Sequence, residues 1–251
     1  MLRHPDLAAI DVTSLQALVL GGGPATAALV REARQRFGCA VAVRYSCTEA
    51  GIGVGTSLTD PPTDAEVSVG RPHPGVELTV RDDDGTVLAR GEEGEVCLCS
   101  SAQMTGYWRD EAATASAFTA DGAVRTGDAG LIDESGRLRL VGRRSDRFVR
   151  GGYNVAPTEV EGVLADHPAV AAVAVVARPD EVMGEVGVAV VVAAPGATPT
   201  LDALRAFGAE RLAHHKLPED LVVSEALPLA GMDKLDRRAL ADLVTTRPAA
   251  T

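Results

Sequence analysis

Apolar positions along the 251-residue chain change their rhythm twice, and each rhythm predicts a different kind of element. Residues 15–20 form an apolar run that ends in Gly21-Gly22-Gly23-Pro24, which reads as a buried strand entering a turn. Pro24 suits the first turn of a following helix, because its missing N–H would lack a partner there in any case. That helix is expected to reach about Phe37, and residues 39–45 supply the next strand. A strand, helix, strand succession favours a parallel sheet, so residues 1–70 are expected to belong to an α/β subdomain.

From residue 71 to residue 141 the pattern becomes short strands broken at Asp83-Asp84-Gly85 and Glu134-Ser135-Gly136, with one helical stretch at 111–118. Cys97 and Cys99, two apart on one strand, should face the same side. This rhythm predicts a small antiparallel, barrel-like subdomain. A stretch rich in Arg and Gly follows. Residues 147–251 then show a third rhythm, in which Thr158 and Glu161 have the spacing of a capping box at a helix start. Two Val-rich strands come next, then a helix at 201–212, a short strand at 221–224 and a last helix at 235–244. The fold class is therefore α/β and α+β in several regions, closing with a compact α+β domain.

Composition narrows the function. A content of 46% apolar residues supports a buried core, but only 3% are aromatic, which leaves few rings for stacking on bases. The formal charge of -11 also argues against nucleic acid, since phosphate-backbone affinity comes from clustered Lys and Arg. Cys39, Cys47, Cys97 and Cys99 show no CxxC spacing and no accompanying His cluster, so they read as small core residues in a reducing compartment. The first residues carry no apolar h-region, and the longest apolar runs, 170–177 and 186–194, fall short of the ~20 residues of a membrane span. A cytoplasmic protein is expected.

Several segments could carry chemistry. Tyr45-Ser46-Cys47-Thr48-Glu49 closes a strand and opens a loop, where parallel α/β sheets place ligands. A hydroxyl beside a carboxylate can contact a phosphate and a Mg²⁺ ion, because hard cations prefer oxygen ligands. Taken alone, a Thr-Glu pair is more often a turn with a solvated Glu. Asp128, in Arg125-Thr126-Gly127-Asp128 after a predicted strand, could accept both hydroxyls of a ribose or be an ordinary turn residue. Arg143 could bridge to nucleotide oxygens or be a solvated linker residue. Gly151-Gly152 permits positive φ or close approach of a ligand, and equally suits a flexible loop.

These segments stand in one order with the terminal run Leu227-Pro228-Leu229-Ala230-Gly231-Met232-Asp233-Lys234-Leu235-Asp236-Arg237-Arg238-Ala239-Leu240. In that order and approximate spacing the chain resembles the adenylate-forming (acyl-CoA synthetase, AMP-binding) superfamily. That superfamily includes acyl-CoA synthetases, aryl-CoA ligases, peptide-synthetase adenylation domains and luciferases. The resemblance covers essentially the whole chain, corresponds to the C-terminal half of such an enzyme, and is strongest toward fatty-acid–CoA ligases.

By position, the resemblance implies that Gly21, Gly22 and Gly23 lie beside adenine and the acyl pocket, and that Tyr45 packs on adenine. It gives Thr48 and Glu49 to phosphate and Mg²⁺, with Glu49 the metal ligand, and Asp128 and Arg143 to the ribose. Residues 142–146 become a hinge centred on Ser145, preceding a mobile domain at 147–251. Gly152 lines the thiol tunnel, and Lys234 is the adenylation lysine. The implied cosubstrates are ATP, coenzyme A and a carboxylic acid, expected to be a fatty acid. Departures are Ser46, Asp233 and Ser145, where the family usually has Gly, Gly, and Asp or Lys. Asp233 could compete for the ammonium of Lys234.

The family's phosphate-gripping loop, rich in Ser, Thr and Gly with a Lys, has no counterpart before Gly21. The resemblance therefore implies a separate or missing N-terminal portion, and little activity without it. Two alternatives accompany this expectation. One is transfer of the acyl group to a carrier-protein thiol. The other is a non-catalytic nucleotide-binding remnant or subunit, whose exposed sheet edge would favour a homo-oligomer.

Overall fold

The computed structural model describes residues 2, 4–231 and 234–245. The chain divides into two compact units, residues 1–141 and 142–251. In unit 1, strand β1 (Ala17–Gly21) runs parallel to β2 (Ala40–Cys47), with Leu20 opposite Val43 and Gly21 opposite Arg44. Helix α1 (Ala27–Phe37) makes the crossover. Its buried positions Val30, Ala33 and Phe37 repeat at helical spacing and pack against Val41 and Val43. Val30 and Phe37, removed from water, each contribute about 1.5–3 kcal/mol. The parallel pair expected from the sequence is present.

The helix starts later than the sequence suggests. Thr26 is the N-cap, accepting from the Leu29 N–H at 3.2 Å, so Pro24 lies outside the helix. A Thr hydroxyl can take one of the unpaired first-turn N–H groups, whereas Pro at the first position only avoids adding one. Strand β3 (Gly51–Gly55) adds antiparallel to β2, and β4 (Arg71–Pro72) antiparallel to β3, with the short helix α2 (Asp64–Val67) between β3 and β4 in the chain.

A second sheet in the order β5 (Val76–Arg81), β6 (Gly94–Ser100), β7 (Val124–Ile132), β8 (Leu138–Arg143) follows, with α3 (Glu111–Ala117) before β7. It is an open meander rather than the expected barrel. Val96, Leu98, Val124 and Leu138 pack against Val54 of the first sheet and Ala50 in the turn before β3. Strand β6 is buried on both faces, since Cys97 is also fully buried among charged groups on the opposite side. A sheet whose core face is already covered by a neighbouring sheet has no need to curl onto itself.

Unit 2 is built on a five-stranded sheet. Its order is β10 (Tyr153–Val155), β9 (Phe148–Arg150), β12 (Gly184–Ala193), β11 (Val170–Asp180), and β13 (Asp220–Val223) pairs parallel with β12. Helices α4 (Pro157–Leu164) and α5 (Leu201–Ala209) contribute Val160, Leu164 and Leu204 to a core with Val175, Ala189 and Val191. Helix α6 (Arg237–Thr245) contributes Leu240 and Val244 to a second core with Ala174, Val176, Val188 and Val190. Alternate residues of β11 and β12 thus enter different cores. Both faces being covered explains the nearly unbroken Val and Ala runs.

The capping box does not form. Pro157 occupies the first turn of α4, Ala156 is the N-cap, and no side chain caps it. Thr158 is therefore inside the helix, and Glu161 turns to accept from the Val175 N–H at 2.7 Å and from Arg237. Among the described residues, no helix is long and apolar enough to cross a membrane.

Candidate functional site

The C-terminal ends of the parallel strands β1 and β2 lie at the same end of their sheet, where open α/β folds place ligands. Gly21, Gly22 and Gly23 leave β1 there, all exposed. Tyr45 lies on β2 beside them, and Thr48 and Glu49 form the turn between β2 and β3. The Thr48 side chain is exposed and that of Glu49 half-buried.

This turn is pinned by a segment the sequence did not single out. The Met104 N–H donates to the Glu49 carbonyl at 2.7 Å, the Ser100 hydroxyl to the Ala50 carbonyl at 2.8 Å, and the Tyr107 phenol to Glu49 Oε1 at 2.9 Å. The hydrogen bond to Glu49 raises the Tyr107 pKa, which keeps the phenol a donor. Tyr107 is 58 positions from Glu49, so no local pattern links them.

Asp128 sits within β7 rather than after a strand. Between the pairs Glu95 with Ala129 and Cys97 with Arg125 the register shifts, so extra residues on β7 bulge out of the ladder. Gly127 takes φ 72° at this bulge. The Thr126 hydroxyl donates to the Val96 carbonyl at 2.8 Å and accepts from the Asp128 N–H at 3.1 Å. Turned this way, Asp128 Oδ2 accepts the Tyr45 phenol at 2.6 Å. Burial, then the charge of Asp128 and this hydrogen bond, push the Tyr45 pKa well above its ordinary value. Cys47 lies close by, its thiol pKa raised mainly by burial and secondarily by Glu49 and Asp128.

Unit 1 thus brings Tyr45 and Asp128 into contact and sets Glu49 and the glycines at the same sheet end. The remaining predicted residues belong to unit 2. Arg143 ends β8 and is exposed. Ser145 lies in a single 3-10 turn, where its hydroxyl donates to Asp146 Oδ1 at 3.1 Å. Gly151 and Gly152, with φ 55° and 86°, make the two-residue turn that joins β9 to β10. Positive φ at both positions belongs to the tight hairpin turns whose twist matches the strands, so this segment is a fixed tip and not a loose loop. Exposed Tyr153 next to it stacks on His215 with ring centroids 4.6 Å apart.

Lys234 is exposed, on the C-terminal side of a closed loop. The Ala230 N–H donates to its carbonyl at 2.7 Å, the Asp236 N–H donates to the Pro228 carbonyl at 3.0 Å, and Leu229 bridges to Leu235. The suggested competition from Asp233 lies outside the described residues.

Residues 1–108 match the family described as AMP-binding enzyme, and residues 159–234 match the AMP-binding enzyme C-terminal domain. A fatty acid–[acyl-carrier-protein] ligase of Streptomyces coeruleorubidus is 39% identical, over 96% of this chain and 47% of the relative. A medium/long-chain fatty-acid–CoA ligase of Mycobacterium tuberculosis is 36% identical, over 96% and 43%. The amide bond synthetase of Marinactinospora thermotolerans superposes with a TM-score of 0.89 at 38% identity, covering 97% of this chain and 50% of that one.

The order of these matches and the shared fold define an adenylate-forming fold. The chain belongs to the AMP-binding enzyme family. It spans about half the length of the curated relatives it matches, as a C-terminal half would.

Proposed function

We propose that this chain is the C-terminal part of an enzyme that activates a carboxylic acid, a fatty acid in the first instance, with ATP and transfers it to coenzyme A. The observation that carries this reading is the Tyr45–Asp128 contact at the strand ends that also bear Glu49, in a chain of the AMP-binding family. In the first step the carboxylate attacks the α-phosphorus of ATP, forming the acyl adenylate and releasing pyrophosphate. Lys234 bridges the carboxylate and α-phosphate, screening two like charges as they approach. Its side chain is exposed on a loop closed at the base, where a substrate can reach it. Tyr45 packs on adenine, with Gly21, Gly22 and Gly23 along its edge, while Asp128 and Arg143 take the ribose hydroxyls.

Thr48 and Glu49 offer hard oxygen donors, a set that suits Mg²⁺, which takes one or two protein carboxylates and fills its sphere with phosphate and water. An ion held there by Thr48 and Glu49 would supply charge neutralisation at the phosphates. In the second step a thiol loses its proton and its sulfur attacks the acyl carbon, and the bond from that carbon to the bridging oxygen breaks, so that AMP departs with the oxygen. Residues 142–146 serve as the hinge about which residues 147–251 turn, exchanging Lys234 for Gly152 between the steps, a familiar closure device.

Pyrophosphate exchange into ATP with a panel of acids, on the intact polypeptide that carries this chain, tests the reading. Lys234→Ala is expected to lower exchange by roughly 10²–10³-fold, the cost of removing one preorganised charge-stabilising donor. Because the side chain is exposed, stability should not change. Unchanged exchange in the variant removes Lys234 from the mechanism. A second reading, transfer to a carrier-protein thiol, is favoured by the 39%-identical relative. Supplying coenzyme A and carrier protein in turn decides between them.

A further inference from the structure

Arg237 stands three positions after Lys234, in the first turn of α6, and its guanidinium reaches three separate segments of unit 2. Nη1 donates to Glu161 Oε1 at 2.7 Å and to the Val175 carbonyl at 2.8 Å, and Nη2 donates to Glu161 Oε2 at 3.0 Å. Nε lies 3.0 Å from Asp146 Oδ2. Glu161 also accepts from the Val175 N–H, so its carboxylate is held from two sides. Its side chain is only 11% exposed. A guanidinium closed onto a carboxylate by two parallel bonds has a fixed plane, so the direction of Nε toward Asp146 is fixed as well.

The backbone next to Arg237 is the base of the lysine loop. The Asp236 N–H closes that loop on Pro228, and the Asp236 carboxylate caps α6 through the Ala239 N–H at 3.0 Å. A shift of Arg237 therefore shifts the loop that presents Lys234. At the other end of the network, Asp146 terminates the 3-10 turn that contains Ser145. One side chain ties the lysine loop, α4 and residue 146 together.

We propose that Arg237 is a positioning residue for Lys234 and that Asp146 is its outward arm. The lysine loop, α4 and Asp146 are then held together as one body. This rests on the role given to Lys234 above. Loosening the network changes how often Lys234 stands in its reacting geometry, and leaves the nucleotide residues of unit 1, Tyr45 and Asp128, alone. The signature is a fall in kcat at constant KM.

The test uses Arg237→Met, Arg237→Lys and Asp146→Asn in the intact polypeptide. Pyrophosphate exchange gives kcat and KM for ATP, and hydrogen exchange reports the Ala230 and Asp236 amides, with β12 amides as reference. Arg237→Met should lower kcat roughly tenfold or more with KM within about twofold, and speed exchange of both loop amides about tenfold while β12 is unaltered. Arg237→Lys, which keeps the charge and loses the fork, should fall between. Asp146→Asn should keep loop protection and still lower kcat a few-fold.

Wild-type kcat and protection in Arg237→Met overturn the proposal. So does an equal rise at the loop and at β12, which would mean general destabilisation alone. Should Arg237→Met not fold, wild-type kcat in both milder variants overturns it. Wild-type kcat in Asp146→Asn by itself removes the arm. Absence of exchange with every acid in the wild type refutes the proposed function instead, and the hydrogen-exchange arm still decides whether Arg237 holds the loop.

Discussion

The Tyr45–Asp128 contact can be tested by itself, before any substrate is known. Tyr45→Phe keeps the ring in its packing and deletes only the hydroxyl that donates to Asp128 Oδ2 at 2.6 Å. Hydrogen bonds to charged groups contribute about 1.5–3 kcal/mol, and Tyr45 is half-buried, so water can partly replace the lost donor and the lower end applies. A double-mutant cycle with Asp128→Ala isolates the pair from the loss of packing at either residue. Urea unfolding of unit 1 can be followed by pulsed labelling of Cys97, which is buried there. The expected coupling is about 1.5 kcal/mol with the denaturant slope unchanged. The phenol pKa is held far above its usual range, so the donor stays protonated and the coupling should not fall between about pH 6 and 9. A coupling below about 0.5 kcal/mol would refute the bond as an organiser of this site.

Gly152→Ala places a side chain at φ 86° with no heavy atom within 4 Å, so its cost is backbone strain alone, about 1–2 kcal/mol in urea unfolding. Thioester formation should suffer more than pyrophosphate exchange, and equal losses in both steps would count against a role in the thiol step only. Arg81 and the Thr119 hydroxyl hold the Asp121 carboxyl at about 2, below its ordinary 3.8. The folded state thus favours the carboxylate. Its stabilising contribution is present above about pH 4 and fades toward pH 2, so the stability gap to Asp121→Asn should close on acidification, and an NMR titration midpoint near 4 would contradict this. Burial, then the charge of Glu95, pushes the Cys97 thiol up to about 11. Since the thiolate is the nucleophile, Cys97 should resist Ellman's reagent at neutral pH until the protein unfolds, and rapid labelling of native Cys97 would contradict its placement.

Local chemistry alone determined the β1–α1–β2 crossover, the paired Val-rich strands of unit 2 and the loops bearing Lys234 and Gly152. Helical and strand periodicity, turn residues and motif order are properties of neighbouring positions, so they survive without a fold. The family was legible for the same reason, because its motifs are short and their order is linear. Tertiary structure alone decided that Pro24 precedes the helix, that Glu161 abandons a cap for Arg237, and that the meander stays open. It also bent Asp128 out of β7 onto Tyr45 and brought Tyr107 to Glu49. Those outcomes depend on which groups meet across tens of residues, and on which buried carboxylate has a better partner than the nearest backbone N–H.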